Sequence, residues 1–186
     1  GLMEFLGPLK ASFDDLVDRA PAGEVEIAGG VSKHVYDGNW KFVLENHLDA
    51  VHPRYVHASS VAAANEQSDD VFTDGAGEVA LRQMRQNGAP NEVWEKTGLW
   101  VARHGHGWMG DYHDDKKLVT NSGDPIHAEY LRRMEAAHGA EETRRILGET
   151  RWNSIVFPNV SFMSQFGQLR IVHPLAVDRT AVYTYA

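Results

Sequence analysis

Two histidines five residues apart, His52 and His57, follow an acid, Asp49, that stands three residues before the first of them. Imidazole nitrogens are common ligands of divalent transition metals, and a carboxylate beside one ring can hold its other nitrogen and fix the ring's orientation. The three residues are arranged as for a mononuclear metal, with two donors and a supporting acid. Trp40, Val43, Leu44, Leu48 and Val51 share one apolar helical face from about residue 39 to 52. Glu45, Asp49 and His52 form a second stripe, with Asp49 one turn before His52. In an uninterrupted helix five residues advance about 500°, which would set His52 and His57 about 140° apart and out of reach of one ion. Pro53 disfavours helical geometry in the residue before it. The sequence therefore predicts a break just after His52 that returns His57 to the same point. Ten histidines are spread through the 186 residues, so spacing alone leaves a chance pair open.

The flanks narrow the choice. Asn39-Trp40-Lys41, then Glu45-Asn46, then Asp49-x-x-His52-x-x-x-x-His57 resembles the iron-binding segment in the catalytic domain of Rieske non-haem iron oxygenases, the ring-hydroxylating oxygenase α subunits. A second block points the same way. Arg151 to Phe162, which contains Phe157-Pro158-Asn159, and then Gln168-Leu169-Arg170-Ile171-Val172-His173-Pro174 look like the family's Phe-Pro-Asn hairpin and its Arg-x-x-x-Pro strand. Pro158-Asn159 alone is only a turn signal; its order and distance from the histidines make it useful. One position departs from the pattern: the residue before the first histidine is often tyrosine in the family and is Val51 here. The resemblance covers almost the whole chain.

The resemblance implies an α+β fold of the helix-grip (START/Bet v 1-like) type, an antiparallel sheet wrapping helices. It implies mononuclear Fe(II) held by His52 and His57, with Asp49 and Asn46 as catalytic residues and Asp49 bridging a histidine ligand to the Rieske centre of a neighbouring subunit. Dioxygen-activating non-haem iron sites use two histidines and one carboxylate. In the family that carboxylate lies in a helix after the last strands, so the third ligand is expected beyond the chain's strand-like end at Ala181–Tyr185. A Rieske [2Fe–2S] cluster needs two cysteines and two histidines, and the chain has no cysteine. Leu2 to Leu9 looks like the exit of the family's Rieske domain, so the cluster is expected upstream of residue 1. On this reading residues 1–186 are one catalytic-domain fragment, truncated at both ends and inactive alone. The intact protein would use O2 to hydroxylate an aromatic or other apolar substrate. A ferredoxin or reductase would supply electrons to a homotrimer or α3β3 assembly. Two competing classes are a helix-grip carrier of an apolar small molecule, with no redox metal, and a hydrolytic or structural zinc site on the same histidines.

The elements that must position these residues follow from periodicity and breakers. The pattern predicts a short helix over Ala11–Arg19, a strand or hairpin around Val25–Tyr36 with Gly29-Gly30 as turn or bulge, and then the histidine helix. A polar loop is expected over Ala58–Asp70, strands at Val71–Thr73 and Val79–Met84, and one strand over Leu99–Met109. Pro125–Leu147 reads as helical with a break at Gly139, and strands return at Ser154–Phe157, Val160–Ser164, Leu169–His173 and Ala181–Tyr185. A content of 42% apolar residues in 186 suits one domain with a sizeable core. The net charge of −8 disfavours nucleic acid and anionic membranes as partners. Lack of cysteine excludes a disulfide framework, and no apolar run is long enough to span a bilayer. A cytoplasmic location is the expectation.

His104 and His106 would share one face of a strand and could chelate, but they are better read as lining or supporting a pocket. Phe42, Val56, Val156, Phe162, Met163 and Phe166 could line an apolar cavity, with plain core the more common fate of such residues. Ser68-Asp69-Asp70 and Asp111–Lys117 read as solvated loops.

Overall fold

The structure, a computed structural model, describes residues 1–27, 29–67, 81, 84–113, 125–163 and 167–185. Its frame is one seven-stranded antiparallel sheet. The strands are β1 (Val31–Asp37), β2 (Gly98–Val101), β3 (Gly107–His113), β4 (Glu149–Val156), β5 (Val160–Met163), β6 (Gln168–Ala176) and β7 (Arg179–Tyr185). Their spatial order is β1-β7-β6-β5-β4-β3-β2. The early strand β1 pairs with the last, from Val31 opposite Tyr185 to Asp37 opposite Arg179. Everything between β1 and β2 must therefore cross from one edge of the sheet to the other. That crossing carries α3 (Lys41–His47), α4 (His52–Val56), α5 (Ala58–Glu66), a helical turn at 84–87 and α6 (Asn91–Trp94).

Before it come α1 (Leu2–Leu6) and α2 (Lys10–Asp18), and between β3 and β4 lie α7 (Pro125–His138) and α8 (Ala140–Gly148). Gly139 separates α7 from α8 with φ of 81°, a left-handed conformation that favours glycine. Arg19 closes the end of α8, where helical carbonyls lack partners of their own. Its Nη2 donates to the carbonyls of Ile146 at 3.1 Å and Glu149 at 2.8 Å. The fold class is α+β, an antiparallel sheet with helices on it.

The core lies between helices and sheet. Leu44, Ile155 and Val172 form one cluster, joined by Trp40, Val43 and Leu48. Leu6, Leu9 and Trp108 form another, joined by Phe13 and Val156. Each fully buried aliphatic side chain contributes about 1.5–3 kcal/mol, so the apolar face of α3 suffices to fix that helix to β4 and β6. In the core, Ser154 Oγ lies 2.9 Å from Ser12 Oγ and ties β4 to α2.

Several local expectations change. Residues 99–109 are not one strand. They are β2, a tight turn at Arg103–Gly105 with His104 at φ 66°, and β3. The backbone reverses there because Ala102 N–H donates to the His106 carbonyl at 2.8 Å, closing the hairpin. Ala58–Glu66 is helix α5 rather than loop. Its run of alanines favours a helix even without a strong apolar face. The expected strand at Val71–Thr73, most of that at Val79–Met84, and the loop at Ser68-Asp69-Asp70 lie outside the described residues. Leu81 and Met84 themselves are helical. Asp111 to His113 belongs to β3, not to a loop.

Candidate metal centre

The segment from Asn39 to His57 is positioned by contacts its periodicity does not reveal. Asn39 starts α3 twice over: its Oδ1 accepts the Lys41 N–H at 3.0 Å, and its Nδ2 donates to the Val177 carbonyl at 2.7 Å in the β6–β7 turn. Trp40 then packs into the core beside Phe157, with ring centroids 6.2 Å apart. Asn153 on β4 donates to the His47 carbonyl at 2.8 Å and so satisfies the other end of α3.

The helix stops there, five residues before His52 rather than just after it. Leu48 packs into two clusters and Ala50 is buried beside Trp94 and Met109. Residues two apart on a helix advance about 200° and so point about 160° apart, so one straight helix cannot bury both against the same sheet. Glycine at 107 makes room, since a Cβ there would lie 2.6 Å from a Leu48 methyl and 3.0 Å from the Trp100 carbonyl. Asp49 sits between them, facing outward, and its Oδ1 accepts the N–H of Val51 at 2.7 Å and of His52 at 3.3 Å. This Asx turn launches α4. Pro53 falls in the first turn of α4, where its missing N–H costs no intrahelical bond.

His52 opens α4 and His57 closes it. At His57 the backbone (φ −94°, ψ 15°) leaves regular helix before α5 begins. The two imidazoles lie with centroids 5.4 Å apart and planes at 63°. His52 Nδ1 faces Asp49 twice, 3.1 Å from its carbonyl oxygen and 3.3 Å from Oδ2. A proton on Nδ1 serves both acceptors and leaves Nε2 with its lone pair outward, the tautomer a metal ligand needs. Asp49 is thus part of the turn that precedes His52 and not one turn back along the same helix.

Both histidines line a cavity of about 370 Å³. Asn46 and Asp49 reach it too, and Met84, Trp94, Met109 and Met163 give it apolar walls. The donor set fits a divalent metal as two imidazoles with one ring oriented. Among the described residues, no group of three or more His, Cys, Asp or Glu gathers at one point. Of the apolar residues expected to line a cavity, Met163 does so. Phe42 and Val56 are exposed instead, because they lie on the outer faces of α3 and α4. Phe162 is core, 4.4 Å from the Phe13 ring, and Val156 supports the Leu9 cluster. Phe166 is outside the described residues. His106 is fully buried, with Nε2 donating to the Phe5 carbonyl at 3.0 Å and Nδ1 accepting the Phe157 N–H at 3.1 Å. With both nitrogens engaged it is a structural post, while His104 sits in the preceding turn and stacks on Phe5.

Two side chains of the cavity were not apparent as site residues in the sequence. His47 is buried, with Nδ1 donating to the Val43 carbonyl at 2.8 Å and Nε2 2.8 Å from Arg170 Nη1. The guanidinium can only donate, so this His47 is neutral. Burial first, and the Arg170 charge second, pull its pKa from 6.5 down to about 4. The folded chain therefore disfavours a proton that the unfolded chain takes up near 6.5. Stability from this group is full above pH 6.5 and is lost as pH falls through about 4, by roughly 3 kcal/mol at most. A His47→Gln variant, which keeps an acceptor for Arg170, is expected to flatten the melting temperature between pH 6.5 and 4. Thermal melts of both proteins across that range check it.

Residues 24–186 match the family of ring-hydroxylating α subunits, in its catalytic domain. The chain is 32% identical over 186 residues to the 2-halobenzoate 1,2-dioxygenase large subunit of Burkholderia cepacia, covering 98% of the chain and 36% of that protein. It is 31% identical over 185 residues to the toluate 1,2-dioxygenase α subunit of Pseudomonas putida, covering 99% and 37%. A structure of naphthalene 1,2-dioxygenase with indole in its active site shares the fold, with a TM-score of 0.65 at 24% identity over 100% of the chain and 39% of that protein. The chain thus spans a little over a third of the length of these relatives.

Proposed function

The chain belongs to the catalytic-domain family of ring-hydroxylating oxygenase α subunits, and from that premise we propose that it binds one non-haem Fe(II) through His52 and His57 and hydroxylates an aromatic ring with dioxygen. The observation that carries the proposal is the pair of imidazoles on one cavity, one of them oriented through its other nitrogen by Asp49. Bound Fe(II) supplies the activation of dioxygen.

The residues of the chain do the rest. Asp49 holds the His52 proton on Nδ1, so Nε2 stays basic. Its carboxylate is still 43% exposed, which leaves it open to a second partner, and we assign it the contact with a histidine of the electron-delivering centre in a neighbouring subunit. Asn46 lines the same cavity and is placed to orient substrate or water. The methionines and Trp94 exclude bulk solvent from the reacting ring. We further propose that the intact protein supplies a carboxylate donor and a [2Fe–2S] cluster from outside these 186 residues, with a ferredoxin or reductase as electron source and a trimeric assembly. The relatives' names include two acids, 2-halobenzoate and toluate, and one hydrocarbon, naphthalene; what they share is the aromatic ring.

Elemental analysis of protein produced without added metal tests the reading. About one iron per chain is the expected result. Zinc alone, or no metal with an apolar molecule in the cavity, overturns it.

A further inference from the structure

His106 is fully buried and does not line the metal cavity, yet both of its ring nitrogens are committed. Nε2 donates to the carbonyl of Phe5 in α1, 101 residues earlier, at 3.0 Å. Nδ1 accepts the amide of Phe157, 51 residues later at the end of β4, at 3.1 Å. A strained turn aims the ring between them. His104 holds φ of 66°, the one residue other than glycine with a positive φ among the described residues, and Gly105 follows at 80°. Such a conformation costs energy in a residue with a side chain and persists only where its surroundings hold it. Gly105 also lets the Phe157 ring approach, since a Cβ there would lie 3.1 Å from that ring. Phe157 in turn packs on Trp40, which starts α3 and joins the Leu44 cluster. Helix α1 needs such a tie, because five residues are too few to hold a helix alone in water. Gly7 breaks the chain after it, with φ 52° and ψ −131°. Leu2 and Met3 are exposed. The helix docks through Leu6 in the Trp108 cluster and through Phe5, whose ring meets His106 edge-on at 4.5 Å.

We propose that His106 is a positioning residue: it latches α1 to the Phe157 end of β4 and, through Trp40, holds the N-terminal segment in a fixed relation to the helices that carry Asp49 and His52. A neutral imidazole offers one donor and one acceptor, which is what a carbonyl on one side and an amide on the other require. An electron-delivering domain joined through α1 would thereby be held in register with the metal centre. That consequence rests on the oxygenase reading above; the latch itself does not.

The test compares His106→Leu with His106→Gln in the intact protein by amide hydrogen exchange and steady-state kinetics. Leucine fills the space but leaves the Phe5 carbonyl and the Phe157 amide without partners. Exchange at Phe5 and Gly7, whose N–H groups bond to the carbonyls of Gly1 and Met3, should then quicken by about ten- to a hundredfold. Exchange in α3 and iron per chain should stay as they are. The expected kinetic result is kcat lower by about tenfold or more with KM unchanged, and slower reoxidation of the cluster. Glutamine keeps a donor and an acceptor and should restore both exchange and kcat. Unchanged exchange at Phe5 and Gly7 in His106→Leu overturns the latch. So does a rise that is equal in α1 and α3, the mark of a residue that only stabilises the fold. Quickened exchange with kcat unchanged overturns the positioning role. Should His106→Leu fail to fold, Phe5→Ala decides, because it removes the ring that covers His106 from a part-exposed helix. Quicker exchange at Gly7 alone then supports the latch, and unchanged exchange overturns it. A protein without iron or turnover whose α1 exchange still responds to His106 keeps the latch and removes the oxygenase.

Discussion

Replacing His52 by alanine is expected to strip iron from the intact protein, to well below a tenth of an ion per chain, and to abolish turnover. His57→Ala should do the same. Residues that merely support a metal ligand change affinity or activity by about 10–100-fold, and loss of a donor itself should exceed that. The fold should survive, because both rings line a cavity and neither is among the residues that form the core clusters. His104→Ala is the matched control. It also removes an imidazole, but from an exposed turn, and should leave iron unchanged. Iron per chain, measured beside a circular dichroism spectrum, reads all three. A His52→Ala protein that retains its full iron would end the assignment.

Asp49→Asn separates orientation from ligation. Asparagine still forms an Asx turn, so its Oδ1 can keep the Val51 and His52 amides and α4 should start as before. What changes is the face toward His52. An amide nitrogen would now meet Nδ1–H, donor against donor, while the Asp49 main-chain carbonyl at 3.1 Å continues to accept. Iron should be largely kept, turnover should fall by about 10–100-fold or more, and reoxidation of the cluster in rapid mixing should slow with it. Asp49→Ala adds loss of the turn, for about 1 kcal/mol of stability. If Asp49→Asn loses iron in step with activity, the residue is a ligand or a folding element. If neither moves, it is a bystander.

The sequence made the histidine pair and its acid visible because all three lie within nine residues, and the need for a break was deducible from helical geometry. Its location was not. Pro53 suggested a stop after His52, whereas the stop is set earlier by Leu48 and Ala50 being buried together and by Asp49 turning the chain between them. Those are tertiary facts. The hairpin at Arg103–Gly105 was hidden because no Pro, Asn or Asp marks the turn and apolar residues resume at Trp108; Gly105 and Gly107 were the hints. The alanine run of α5 was legible from propensity and was overridden by its serines and its polar end. His47 and Arg170 are 123 residues apart, and no local pattern joins a histidine on a helix to an arginine on a distant strand.

That separation has a consequence for how the cavity can change. Asp49 and His52 meet across three residues, whereas the guanidinium reaches the cavity only after β6 has paired. Each doubling of a closed loop costs about 0.6 kcal/mol of chain entropy, so the long closure is the dearer by roughly 3 kcal/mol. A chain that loosens at its last strands would keep its imidazoles oriented while losing the Arg170 wall of the cavity. By the same token, one substitution on β6 can reshape that wall of the cavity while leaving the histidines of α4 untouched. Ligand preference and metal chemistry are then free to drift at different rates along the same polypeptide.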